Sequence, residues 1–229
     1  MLLKEFQTLP EDFKTDSLQM YYDILSQKKT SLFVKRCFDF IVSLCMILIC
    51  ALPMIIIAIA IKLDSNGSVF YRQERITKYG KAFRIYKFRT MVSNADKLGT
   101  LVTVNNDARI TKVGRFLRKY RLDELPQLIN ILFGDMSFVG TRPEVRKYVD
   151  CYEREMLATL LMPAGVTSLA CIHYKDEETL LQNASDADET YVKDILPEKM
   201  KYNLEYIKKF SFWYDIKLLA MTVWAVVCK

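Results

Sequence analysis

The chain has 229 residues, 51% of them apolar, and 33 basic against 27 acidic residues give it a net charge of +6. That length accommodates one ordinary domain plus a short membrane element. A lone histidine argues against a His-based metal centre or a Ser/His triad, and six cysteines without C-x-x-C spacing argue against a zinc site or a disulfide frame.

Residues 1–32 are polar and mixed in charge, with Tyr21, Tyr22, Ile24 and Leu25 as a weak helical stripe. They are expected as a peripheral arm. Residues 33–62 follow as a membrane element, because the 22 residues 40–61 contain no charge and suffice to cross a hydrocarbon core as a helix. The run is too long for a cleaved signal peptide and lacks a small-residue cleavage site. Pro53 lies inside it, and a proline removes a helix hydrogen bond and kinks the axis. Cations flank both ends, Lys35 and Arg36 before and Lys62 after, and basic flanks tend to stay cytoplasmic. Two readings stand on composition alone: a bent hairpin that enters and leaves one membrane face, and a plain spanning helix that tolerates its proline.

Residues 63–229 are expected to form a cytoplasmic, membrane-associated catalytic domain. Between Lys62 and Arg121 there are fifteen cations against four acids, so positive charge is concentrated beside the apolar segment. Anionic lipid headgroups and phosphorylated substrates are the partners such a field attracts; nucleic acid is not expected, since no nucleic-acid motif accompanies it. Residues 69–72 and 82–89 alternate apolar and basic side chains around Lys78-Tyr79-Gly80-Lys81, the pattern of a short hairpin with a cationic face. Leu125, Leu128, Ile129 and Leu132 keep helical spacing up to Gly134. Residues 210–227 are apolar but interrupted by Asp215 and Lys217, which favours an interfacial helix with Trp213, Tyr214 and Trp224 at headgroup depth.

The chemistry centres on Asp123 and Glu124, just ahead of Pro126, a residue suited to the first turn of a helix. Amides at a helix start favour carboxylates and phosphate oxygens. Adjacent side chains diverge, so one carboxylate suits attack or metal binding and the other orientation or proton exchange. The plain alternative is a helix-capping aspartate with an acidic first turn. Arg118 and Arg142 offer the planar fork that binds phosphate through two parallel hydrogen bonds, and Lys87 and Arg89 form a second cationic pair.

These residues resemble the bacterial sugar transferases, the monotopic polyprenyl-phosphate phosphoglycosyl transferases. The resemblance rests on Lys35-Arg36-Cys37-Phe38-Asp39 before the Pro-interrupted segment, Lys87-Phe88-Arg89-Thr90-Met91, Asp107-Ala108-Arg109-Ile110-Thr111 and Val113-Gly114-Arg115-Phe116-Leu117-Arg118. It continues through Leu122-Asp123-Glu124-Leu125-Pro126-Gln127-Leu128, Gly134-Asp135-Met136-Ser137 and Val139-Gly140 with Arg142-Pro143. It implies an α+β, mainly helical fold: a re-entrant helix hairpin broken at Pro53, and a small cytoplasmic domain with a short β-hairpin and interfacial amphipathic helices. It implies that Asp123, in contact with Mg²⁺, attacks the sugar-proximal phosphate of a UDP-sugar and releases UMP, and that polyprenyl (undecaprenyl) phosphate takes the phosphosugar from the covalent adduct. Glu124 would assist, and Arg118, Arg142, Lys87 and Arg89 would bind substrate phosphates.

The implied setting is the cytoplasmic face of a bacterial inner membrane, in the first membrane step of exopolysaccharide, capsule or O-antigen synthesis. Membrane lipids, downstream glycosyltransferases and a second copy of the chain are compatible partners. Two positions depart from the family pattern: Thr141 replaces the first proline of Pro-Arg-Pro, and Met162-Pro163-Ala164-Gly165-Val166-Thr167-Ser168 replaces R-P-G-x-T-G. The competing class is a non-enzymatic membrane scaffold with a basic, anionic-lipid-binding face, which predicts no UDP-sugar turnover and strongly salt-dependent polyanion binding.

Overall fold

A computed structural model of the chain describes residues 3–93, 95, 107–174 and 186–227. Asp176, Glu177 and Glu178, and Lys97 of the basic stretch, lie outside them. Helices dominate, accompanied by two small sheets.

Helix α1, Asp16–Ser26, starts where Thr15 accepts a hydrogen bond from the Leu18 amide, and it buries Leu18, Tyr21 and Leu25 along one face. The arm expected to be peripheral is therefore part of the main core. Leu9, Phe13 and these three residues pack with Leu161, Tyr206, Ile207, Phe210 and Leu218. Tyr21 also donates to Glu155 Oε1 at 2.6 Å.

The apolar segment forms one helical element, α2, Lys29–Asp64, with Pro53 inside it. It is the one described helix long and apolar enough to cross a membrane by length and composition. Drawn straight, 36 residues would extend about 54 Å. Both halves dock on the same body. Before Pro53, Leu32 enters the main core and Met46 and Ile47 pack on Phe83, Ile85, Leu128 and Ile131. After it, Met54, Ile57, Ala58 and Ile61 pack on Phe88, Leu117, Leu122 and Leu125. At the far end Asp64 Oδ2 accepts the Val113 amide at 2.9 Å. The opposite face is apolar and open, with Ile49 76% exposed and Leu48, Leu52, Ile55, Ile56 and Ile59 alongside.

The basic flank before this segment is bonded into the protein. Lys35 is 2% exposed, and its ammonium donates to the Val139 carbonyl at 2.8 Å and to Asp215 Oδ2 at 2.6 Å. Arg36 donates to the carbonyls of Ile131 (2.7 Å) and Leu132 (2.8 Å). It thereby caps the C-terminus of α4, Gln127–Phe133, where unpaired carbonyls and the helix dipole favour a cation.

The expected hairpin is present: β1, Phe70–Ile76, pairs antiparallel with β2, Ala82–Phe88, from Phe70 opposite Phe88 to Ile76 opposite Ala82. α3, Lys112–Lys119, is capped by Thr111, which accepts the Gly114 amide at 3.0 Å. α4 ends at Gly134 in the left-handed region, and β3, Met136–Val139, follows. β3 pairs in parallel with β4, Ala164–Thr167. The crossing needs glycines, since a Cβ on Gly165 would lie 2.1 Å from the Gly140 nitrogen. Between these strands run α5, Arg146–Val149, and a 3-10 stretch, Arg154–Leu161.

After α6, Leu169–His173, the described chain resumes in one helical turn, Ala187–Thr190, and a π-helical turn, Tyr191–Ile195, that run directly into α7, Leu196–Lys209, followed by α8, Phe212–Val227. α8 is amphipathic as expected. Leu218 and Asp215 face inward, and Trp213 (77% exposed) and Trp224 face out. The five described cysteines are free.

Candidate active site

Asp123 owes its position to a sharp reversal. α3 ends at Tyr120, and Arg121 adopts a left-handed backbone (φ +56°) uncommon for a side chain of its type. The following 3-10 turn, Leu122–Glu124, is anchored by Leu122 and Leu125 against Ile61, Phe88 and Leu117. Those two leucines point to the core and leave Asp123 aimed into a cavity of about 360 Å³. The same cavity is lined by Lys87, Arg89, Thr90 and Arg118 and, from β1, by Tyr71, Gln73 and Arg75.

Asp123 and Glu124 are treated very differently. Asp123 is 8% exposed and its Oδ1 is buried without a hydrogen-bond partner. Burial raises its pKa above the usual carboxylate value, with the Lys87 charge opposing and the Glu124 charge adding to the rise. Glu124 Oε1 accepts from Lys87 Nζ and from Arg142 Nη2, both at 2.8 Å. Burial acts upward on Glu124 too, but Arg142 and Lys87 outweigh it and hold the group well below the ordinary glutamate value. Arg142 is correspondingly raised by the Glu124 charge. Lys87 is pulled down by burial, with Glu124 countering.

The remaining expected residues divide. Arg118 lines the cavity, with Nε donating to Thr90 Oγ1 at 3.0 Å. Arg142 joins the site through Glu124. Arg89 reaches the cavity wall, yet Nη1 donates to the Asn66 carbonyl (3.1 Å) and Nη2 to the Ser65 carbonyl (2.7 Å) and hydroxyl (3.0 Å). Its terminal nitrogens therefore clamp the loop after α2, where phosphate binding was expected. Pro53 lies away from this group, on α2.

Sequence reasoning missed Tyr71, Gln73 and Arg75. Alternation in β1 puts all three on one side of the strand, the less exposed one. Arg75 donates to Gln73 Oε1 through Nε (3.0 Å) and Nη2 (2.6 Å), and through Nη1 to the Pro143 carbonyl at 3.1 Å. It thus ties the hairpin to the turn carrying Arg142. The period-two pattern of residues 70–76 was the available signal.

No group of three or more His, Cys, Asp or Glu suited to a metal occurs among the described residues. An all-protein metal cage is therefore not built there. The arrangement offers a desolvated carboxylate whose Oδ1 has no hydrogen-bond partner, in a cavity lined also by Lys87, Arg89 and Arg118.

Comparison with known proteins agrees with that chemistry. Residues 30–229 match the family described as Bacterial sugar transferase. An Aeromonas hydrophila UDP-N-acetylgalactosamine-undecaprenyl-phosphate N-acetylgalactosaminephosphotransferase is 37% identical over 195 residues, covering 83% of this chain and 43% of the relative. A UDP-glucose:undecaprenyl-phosphate glucose-1-phosphate transferase of Escherichia coli K12 is 39% identical over 196 residues, covering 83% of this chain and 39% of the relative. The chain thus spans less than half the length of these two relatives. A sugar transferase of Bacillus subtilis, itself uncharacterised, is 34% identical over 191 residues and is covered over 85% of its length.

Proposed function

The chain belongs to the bacterial sugar transferase family, and on that premise we propose that it moves a sugar-1-phosphate from a UDP-sugar to polyprenyl (undecaprenyl) phosphate, releasing UMP. A single observation carries the assignment of the nucleophile. Of the two adjacent carboxylates, Glu124 is committed to two cations, whereas Asp123 lines the cation-walled cavity and its buried Oδ1 has no hydrogen-bond partner.

In the first step an Asp123 carboxylate oxygen attacks the sugar-proximal phosphorus. The bond from that phosphorus to the bridging oxygen breaks, and UMP leaves with the oxygen. A terminal oxygen of polyprenyl phosphate then attacks the same phosphorus and displaces the carboxylate, giving the polyprenyl diphosphate sugar. Dividing the displacement this way replaces one hard step by two easier ones. Both nucleophiles are already anions, so neither step calls for a base. Glu124 instead holds Lys87 and Arg142 in place, and Arg118 faces the transferred phosphoryl group.

Mg²⁺ fits this site through Asp123 alone among the carboxylates, because such ions commonly take one or two carboxylates and complete their shell with water and substrate phosphates. When bound, it supplies charge neutralisation on the diphosphate. The lipid substrate requires a site at the membrane surface. That setting is supported by α2, in which Lys35 near the start and Asp64 at the end are both bonded to the same body. In this reading α2 enters and leaves one face, the cytoplasmic face of the inner membrane, with its bend at Pro53. The product would open the synthesis of a surface glycan.

Labelling decides the covalent step. Incubated with UDP-sugar carrying ³²P in the sugar-proximal phosphate, and without lipid acceptor, the protein should become radioactive. Asp123→Asn should abolish both the label and UMP release, by about three orders of magnitude or more. An active protein that never carries label would refute the aspartyl intermediate.

A further inference from the structure

A second cavity, of about 530 Å³, opens at the seam between the N-terminal arm and the β1–β2 turn. It shares no lining residue with the cavity at Asp123. Among the described residues three lysines line it, Lys4, Lys78 and Lys81, against one carboxylate, Asp135, whose Oδ1 lies 3.6 Å from the Lys81 ammonium. Lys4 and Lys78 both approach the ring of Tyr79, their ammonium nitrogens 5.3 and 4.6 Å from its centroid. Tyr79 is held at φ +59°, a conformation that disfavours a bulky side chain, and its hydroxyl accepts the Lys4 amide at 3.0 Å.

Bringing like charges together around a half-buried wall has a visible cost. The Lys78 ammonium is pulled down to about 8, by burial first and by the Lys4 charge second. An anion seated between the lysines would offset the repulsion between Lys4 and Lys78. Ammonium groups are compact point charges with three donors each, and a tetrahedral phosphate offers acceptors in several directions at once.

We propose that this seam is a second binding site, for a phosphate-bearing anion, distinct from the transfer site at Asp123. Lys4 and its neighbours belong to a segment that precedes the family match at residues 30–229, so four of the ten described lining residues come from chain outside that match. An occupant would fasten the arm to the hairpin whose second strand leads to Lys87. The same chemistry is presented by a soluble phosphate and by an anionic lipid headgroup.

Limited acetylation of the full chain at pH 8, read lysine by lysine by mass spectrometry, tests the proposal. Inorganic diphosphate, against chloride of equal ionic strength, should slow modification of Lys4 and Lys78 about tenfold and leave Lys201, paired with Glu198 on the outer face of α7, unchanged. A parallel arm in nanodiscs compares phosphatidylglycerol with phosphatidylcholine. Protection by diphosphate alone assigns a soluble ligand, and protection by phosphatidylglycerol alone assigns a lipid headgroup; both support the site. The K4Q/K81Q double substitution should remove the protection of Lys78. No protection in either arm, equal protection of Lys201, or undiminished protection in the double variant would overturn it.

Discussion

Burial lifts the Asp123 carboxyl, while Arg142 and Lys87 hold neighbouring Glu124 well below the ordinary range, so the two residues titrate apart despite being adjacent. The consequence for activity has a definite sign. A nucleophilic carboxylate must be ionised, so turnover should fall as pH drops through the raised Asp123 pKa, at a higher pH than an ordinary aspartate would give. Lys87 is the main charge opposing that rise. Lys87→Met should therefore move the acid limb of kcat/KM to higher pH, measured as UMP release between pH 4 and 8; an unmoved or lowered limb would contradict the assignment. At this scale the sequence was partly legible. The motifs named Asp123, Glu124, Lys87, Arg118 and Arg142, which the structure brings together; Arg89 reaches the same cavity wall, but charge type does not reveal that its terminal nitrogens bond the Ser65 and Asn66 carbonyls.

The elements around the site are held by close backbone approaches that the motifs encode. α3 presses on the strand exit at Thr90, whose carbonyl accepts the Thr111 amide at 3.0 Å. A Cβ on Gly114 would lie 2.0 Å from that carbonyl oxygen. Alanine normally stabilises a helix by up to about 1 kcal/mol over glycine. Here Gly114→Ala should instead destabilise by about 1–3 kcal/mol through overpacking, read as a lowered thermal midpoint of the purified protein. Arg118 would lose its Thr90 partner in the same shift, so activity should fall with stability. The hairpin and α4 were readable from alternation and helical spacing. The burial of α1 was not, because its stripe of Tyr21, Tyr22, Ile24 and Leu25 is too weak to show which face meets a core.

For the molecule as a whole, the proposed topology turns on α2. Composition left a hairpin and a plain span equally open, since both carry the same 22 uncharged residues and the same proline. The contacts that support the proposed hairpin are those of Leu32 and Lys35 near one end, and of Ile61 and Asp64 at the other, with the same globular body. Cysteines introduced at exposed Phe33 and Leu63 in a cysteine-free background should both react with an impermeant maleimide from the cytoplasmic side. Reaction from opposite sides would mean that α2 spans the bilayer.

The pairing of Lys35 with Asp215 has a consequence for biosynthesis. The two residues lie 180 positions apart. At about 5–20 residues per second, a ribosome releases the greasy segment roughly ten to forty seconds before the aspartate that neutralises its neighbouring ammonium. Until then the apolar segment carries an unquenched positive charge at its margin, where anionic phospholipid can retain it. Helix α8, on arrival, withdraws that charge into the protein and locks α2 to a segment made much later.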